Sequence, residues 1–209
     1  MAKKTYSVSS KLWIKEHFDD LSVQKQQNQG DCFEDVFKLE QIQQKFNFIK
    51  LGMRVVDLGA APGGWSQYVA SLVGDSGKVF SCDILDMKPI EKVDFIQGDF
   101  RDEAVLNTLL NKIGGKPVDI VLSDLTTNGN GSATAVQASN TYLSELAFDL
   151  CRQILKPNGV FIVKAYKGEG FDEFYSELKD AFSVVNTSEL IYALAKSNEV
   201  YLVAAGYKL

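Results

Sequence analysis

The sequence has little of what metal sites, disulfide frameworks and histidine-based catalysis need. His17 is its only histidine, so a Ser-His-Asp triad and a histidine metal site are not expected. The expected place for His17 is a helix surface, and no metal is expected. The three cysteines, Cys32, Cys82 and Cys151, are odd in number and far apart. They make neither a disulfide framework nor a zinc pattern, and suit a reducing cytoplasm, the expected location. No run of about 18 apolar residues is present, so no membrane span is expected. Met1-Ala2-Lys3-Lys4 is followed by no apolar stretch, which argues against a signal peptide. A basic excess is missing too: 22 Lys and Arg face 27 Asp and Glu, for a net charge of -5. Taken alone, that balance argues against a polyanionic partner.

What is present is enough for one domain with a proper core: 209 residues, 45% of them apolar. There is no internal repeat. Lys11 to Phe18 reads as a short helix with Leu12, Trp13 and Phe18, and Gln24 to Gly30 as a connection. Val36, Leu39, Ile42, Phe46 and Ile49 recur at three or four, predicting an amphipathic helix over 33–49. Strands are then predicted at 53–58, 78–82, 93–97, 118–123, 159–165, 183–187 and 199–205. Helices are predicted at 65–73, 104–113, 138–155 and 171–182, with Lys156-Pro157-Asn158-Gly159 as a stop. Strands separated by helices imply parallel βαβ units. Ser188 to Asn198 shows no helix of ordinary length, so the last two strands read as a hairpin and the last strand should run antiparallel. The expected fold is α/β, with seven mostly parallel strands and helices on both faces. Its two parts are a helical extension, 1–50, and a core, 51–209.

The most informative run is Val55-Val56-Asp57-Leu58-Gly59-Ala60-Ala61-Pro62-Gly63-Gly64-Trp65-Ser66. A strand ends at Asp57-Leu58, small residues let the chain turn against a ligand, and a helix follows. The spacing Gly59-x-x-x-Gly63 is not the G-x-G-x-x-G of a pyrophosphate cradle, and Pro62 removes one N–H that a phosphate could use. Asp83 at the end of strand two can accept both hydroxyls of a ribose. Asp99 ends strand three, where an adenine edge would lie. A nucleoside without phosphates at this place describes S-adenosylmethionine. Strands four and five end at Asp124 and Lys164, and an antiparallel strand seven starts at Glu199 on the same edge. These three should converge beside the methyl donor, with the Lys164 pKa tuned by burial and by the acids. Asp124-Leu125-Thr126-Thr127 lacks the Pro-Pro-aromatic run of amino-group methylation, and no Pro-Cys nucleophile occurs. A lysine-centred cluster suits a hydroxyl acceptor, whose proton is hard to remove at neutral pH.

The chain resembles the FtsJ (RrmJ) family, the large-subunit ribosomal RNA 2′-O-ribose methyltransferases. The resemblance rests on Trp13 to Phe18, Phe37-Lys38-Leu39, Val55 to Tyr68, Gln97 to Asp102, Gly168 to Glu173 and Glu199-Val200-Tyr201. It implies a Rossmann-like methyltransferase fold and a catalytic tetrad of Lys38, Asp124, Lys164 and Glu199, with Lys164 as proton acceptor. It implies cofactor contacts from Gly63, Trp65, Asp83, Asp99 and Asp124, alongside Asp57 and Gly59 of the glycine run. The activity it implies is methylation of a uridine ribose in 23S ribosomal RNA on the assembled large subunit, by a monomer. Three stretches depart from the family. Cys32 to Val36 stands where a Ser-Arg-rich stretch is usual, Leu125 to Asn128 where the family has a Met-Ala-Pro-Asn type of run, and Ala195 to Asn198 where arginines are usual. These leave two alternatives: methylation of another RNA (a tRNA or a cap), or a cofactor-binding ribosome-assembly factor that has lost RNA affinity. Charge separates along the chain: residues 1–52 hold 8 basic and 7 acidic side chains, or +1, against 14 and 20, or -6, in the rest. RNA contact is therefore expected to be local and salt-sensitive.

Overall fold

The computed structural model describes residues 29–127, 132–188 and 198–208, and side chains within these except at 29–35 and 133. The expected helix at Lys11 to Phe18, His17, and the expected arginine-poor stretch at 195–197 lie outside the described residues. The elements are α1 (Gln29–Phe46), β1 (Arg54–Leu58), α2 (Gly64–Val73), β2 (Lys78–Asp83), β3 (Val93–Gln97), α3 (Glu103–Ile113), β4 (Val118–Ser123), α4 (Ala133–Ile154), β5 (Leu155–Tyr166), α5 (Phe171–Ala181), β6 (Phe182–Ser188) and β7 (Glu199–Tyr207).

The seven strands form one sheet in the order β3-β2-β1-β4-β5-β7-β6. All neighbours are parallel except β7, which pairs antiparallel with both β5 and β6. The expected antiparallel last strand is present. It enters between β5 and β6 rather than at the edge. The strand order reverses between β1 and β4, where an open α/β sheet leaves a crevice at its carboxyl edge.

Strand alternation sorts the core into two layers. Val56, Leu58, Phe80, Val121, Phe161 and Leu202 join α3, α4 and α5 on one face. Val55, Val79, Ile120, Leu122, Ile162, Tyr201 and Val203 join Leu39 and Ile42 of α1 and Trp65, Val69 and Val73 of α2 on the other. Asp57, two residues beyond Val55, falls on the α1–α2 side by the same parity. Lys164, two beyond Ile162, does so too, as does Glu199, two before Tyr201.

Several boundaries differ from the predicted ones, and the first helix already begins at Gln29, inside the stretch 24–30 expected as a connection. The first helix ends at Phe46, not Ile49. Asn47 turns left-handed at φ 51, and the Gln43 amide binds the Ile49 carbonyl at 3.0 Å and its N–H at 2.9 Å. Phe48 and Ile49 therefore reach the core from outside the helix. The α4 helix begins five residues early because Ser132 caps it, its Oγ accepting from Ala135 N at 3.3 Å. The fifth strand starts at Leu155, immediately after that helix. Lys156 to Gly159 bulge out between the pairs Val118–Leu155 and Ile120–Val160, with Asn158 left-handed at φ 63.

Candidate active site

The carboxyl edge of the sheet gathers the residues singled out in the sequence. Leu58 delivers the chain into a turn that only glycine accommodates at its first residue. Gly59 has φ 77, and a Cβ there would lie 3.1 Å from the Leu125 nitrogen and 3.2 Å from the Asp124 carbonyl carbon. The loop thus lies against the end of β4. Gly63, at φ 112, packs instead on the other side, where a Cβ would meet Ile90 and Met87. It starts α2 with no side-chain cap and no acid in the first turn. The positive end of the α2 dipole, at Gly64 and Trp65, faces a cleft shared with Asp124 and suits a carboxylate such as an amino-acid tail.

That cleft opens into a cavity of about 420 Å³ lined by Gly59, Asp83, Ile84, Leu85, Asp99, Arg101 and the stretch Asp124 to Thr127, within the usual range for a nucleoside-sized ligand. Asp83 holds the loop from below. Its Oδ2 accepts from Ala61 N and its Oδ1 from Leu85 N, both at 2.8 Å. Each oxygen keeps capacity for a ribose hydroxyl. Asp99 is engaged by Arg101, whose Nε lies 2.9 Å from Oδ1 and whose backbone N–H reaches the same oxygen at 3.0 Å. The Arg101 side chain holds this carboxyl below its ordinary range.

Asp57 lies beneath the loop and lines none of this space. It is fully buried, accepts from Ser66 Oγ at 2.6 Å, and leaves its Oδ1 without a hydrogen-bond partner. Ser66 in turn touches Ser81 Oγ at 2.6 Å. Burial pushes the Asp57 carboxyl up to about 7, against the Ser66 hydrogen bond and with help from Asp124 and Asp83. It supports the loop rather than facing a ligand.

The four tetrad positions come together as two ion pairs. Lys164 Nζ lies 3.0 Å from Asp124 Oδ1 and donates to the Asp124 carbonyl oxygen, also at 3.0 Å. Lys38 Nζ lies 3.2 Å from Glu199 Oε1. Side-chain parity explains the convergence, since Lys164 and Glu199 project to the face covered by α1, the helix that carries Lys38. The two pairs differ in environment: Lys164 is 7% exposed, whereas Lys38 and Glu199 are each 21% exposed. Burial pushes the Lys164 ammonium down, but Asp124, Tyr166 and Glu199 together push it up. The net result lies above the ordinary lysine value, so the free site holds this proton firmly.

The sequence does not single out Tyr201, and the structure brings it into the cluster. Its hydroxyl donates to Asp124 Oδ1 at 2.6 Å, and its ring sits 5.8 Å from that of Trp65. Tyr201 is opposite Lys164 in the β5–β7 register. The signal was available: a tyrosine two residues after Glu199 on one strand shares its face. Among the described residues, no group of three or more His, Cys, Asp or Glu side chains is placed to hold a metal, and no helix is long and apolar enough to cross a membrane.

A family model for FtsJ-like methyltransferases matches residues 35–207. The chain belongs to that family. This FtsJ-like methyltransferase uses S-adenosylmethionine, and the glycine cradle, the Asp83 carboxylate and the uncapped α2 end fit that cofactor. Among solved structures it is similar to a Plasmodium falciparum protein assigned as a ribosomal RNA methyltransferase. The two share 28% identity with a TM-score of 0.73, over 82% of this chain and 96% of that one. It shares its fold with a Clostridium thermocellum protein assigned as an rRNA methylase, at 23% identity and TM-score 0.55, over 80% of this chain and 96% of that one. The fold also recurs in fibrillarin of Aeropyrum pernix, solved with bound S-adenosylmethionine, at 13% identity and TM-score 0.52, over 76% of this chain and 68% of that one.

Proposed function

We propose that this FtsJ-like methyltransferase methylates the 2′-hydroxyl of a uridine ribose in large-subunit (23S) ribosomal RNA on the assembled subunit, acting as a cytoplasmic monomer. The observation that carries the reading is Lys164: a buried lysine 3.0 Å from Asp124, which itself lines a nucleoside-sized cavity, with a second lysine–carboxylate pair alongside. A ribose hydroxyl is a poor nucleophile until its proton is taken, and a positioned lysine is a group that can take it. The likeness to the Plasmodium falciparum protein supports an RNA substrate.

Bound S-adenosylmethionine supplies an electrophilic methyl group on a cationic sulfonium. Asp124 lines both the cofactor cleft and the Lys164 contact. When this carboxylate is shared with a second positive charge, it supports the lysine ammonium less, and the lysine proton affinity falls. Neutral Lys164 would then take the proton of the 2′-hydroxyl as its oxygen bonds the methyl carbon and the bond from that carbon to sulfur breaks, leaving a neutral thioether. Tyr201 fixes the orientation of Asp124 during this exchange. Lys38 and Glu199, paired and partly exposed, suit contact with the acceptor nucleotide.

The stretch Cys32-Phe33-Glu34-Asp35-Val36, acidic and next to Lys38, favours a second reading, in which the acceptor is a tRNA or a cap. Labelled methyl transfer to undermodified large subunits, free ribosomal RNA and tRNA separates the two. The expected result is transfer to assembled subunits in preference to naked RNA. Preferred transfer to tRNA, or none to subunits by protein that binds the cofactor, overturns the leading reading.

A further inference from the structure

The α4 helix carries a polar stripe that the proposed reaction does not use. Asn140, buried at 5% exposure, points its Oδ1 at residue Thr127 and accepts two hydrogen bonds from it: the backbone N–H at 2.9 Å and the hydroxyl at 3.1 Å. One turn on, the single Ser144 hydroxyl proton is shared between the Lys164 and Asn140 carbonyl oxygens, each 3.1 Å from Oγ. One turn back, Gln137 Nε2 donates to the Tyr166 carbonyl oxygen at 2.8 Å. A single helix face therefore grips the segment following β4 and the end of β5, the two backbones that deliver Asp124 and Lys164.

We propose that Asn140 is a positioning residue that, through its two hydrogen bonds with Thr127, sets the 124–127 segment and with it both the wall of the cofactor cavity and the Asp124 carboxylate. The geometry separates this from ordinary packing. Thr127 lies three residues beyond Asp124, and the segment between them also lines the cavity. No strand pairing holds it, because β4 ends at Ser123. Asn140 is its side-chain anchor to the helix layer. A backbone donor and a hydroxyl donor converge on one carbonyl oxygen, so removing that oxygen orphans both in a partly buried place, where each unmade bond carries a desolvation penalty. The segment then has reason to turn its N–H toward solvent, carrying Asp124 away from Lys164.

The cofactor part of this inference stands on family membership alone; only the rate part rests on the proposed acceptor. The test compares Asn140→Leu, nearly the same shape without the acceptor, with Thr127→Val, which removes only the hydroxyl, and with the double variant. S-adenosylmethionine affinity is measured by titration calorimetry and methyl transfer is measured at saturating cofactor. Asn140→Leu is expected to weaken cofactor binding about tenfold, the loss of roughly one well-made bond and its penalty, and to slow transfer at saturation. Thr127→Val is expected to weaken binding about threefold, and to add nothing once Asn140 is leucine. Additive losses in the double variant, or unchanged cofactor affinity in a folded Asn140→Leu protein, overturn the proposal. Should Asn140→Leu not fold, an unchanged affinity in Thr127→Val overturns it equally. Cofactor affinity is read without RNA, so failure of the proposed acceptor leaves this readout intact.

Discussion

Replacing Lys164 with methionine removes the ammonium while keeping most of the buried stem, so the change isolates the charge and its proton. In the native site Nζ makes two contacts of 3.0 Å, to the carboxylate and to the carbonyl oxygen of Asp124. Asp124 keeps the Tyr201 hydroxyl at 2.6 Å and is 13% exposed. The carboxylate is left one donor short rather than stranded, which costs about 1–3 kcal/mol of stability. For a chain of this size that is about 2–4 °C of melting temperature per kcal/mol. The effect on rate is much larger. Loss of a positioned proton acceptor costs about 10²- to 10⁴-fold, whereas the cofactor cavity keeps Asp83, Asp99, Gly59 and the α2 end. The assay pairs cofactor titration with single-turnover methyl transfer to undermodified large subunits. The pH profile supplies an independent check. Lys164 is held above its ordinary value, and only its neutral form accepts a proton. The native rate should therefore climb about tenfold per pH unit through neutrality, and the methionine variant should lose that slope. A variant that keeps more than about a tenth of the native rate, or a native profile that is flat, refutes the assignment of Lys164. A loss of cofactor affinity equal to the loss of rate assigns the lysine to the cavity wall instead.

Other perturbations probe the parts around it. Tyr201→Phe removes the 2.6 Å bond to Asp124 and should lower the transfer rate about tenfold, with cofactor affinity changed much less; equal losses in both contradict an orienting role. Gly59→Ala forces an ordinary residue to φ 77, with its Cβ 3.1 Å from the Leu125 nitrogen. Cofactor binding should fall at least tenfold, and native-like affinity would disprove the cradle. Asp57 is raised from 3.8 to about 7 by burial, so its contribution to stability is fully present below about pH 4 and is lost as pH rises through 7. The limit of that loss is about 4 kcal/mol. Asp57→Asn removes this dependence, so its melting temperature should gain on that of the native protein between pH 5 and pH 8; a constant difference across that range contradicts the assignment.

The sheet and its order of elements were legible because period-two apolar runs and glycine turns announce strands and crossovers. Residues 93–97 and 118–123 fall where they were predicted. Ends were less legible where a distant side chain decides them. Gln43 stops the first helix by reaching Ile49, and no periodicity carries that contact. The strand-end acids of the site were readable because topology alone brings strand ends together. Lys38 entered only through family resemblance. Its approach to Glu199 depends on how α1 lies across the sheet, which a single sequence does not specify. Asp57 shows the opposite case. It belongs to the most recognisable run of the chain, yet it sits one residue short of the strand end, beneath the loop, in a buried pair with Ser66. Asn140 had no local signal at all, since its partner is thirteen residues away in the sequence.

The insertion of β7 between β5 and β6 bears on the order in which the protein matures as it is made. Synthesis runs from the N-terminus, and structure forms behind it. Every residue of the cofactor cavity precedes residue 144, and Asp124 and Lys164 are also made before β7. Glu199 and Tyr201 arrive last, on the strand through which β6 joins the sheet. A nascent chain can therefore acquire a cofactor pocket before it can orient Asp124 or pair Lys38. Competence for transfer is deferred until the final strand is seated, so the sheet that builds the site also times its completion.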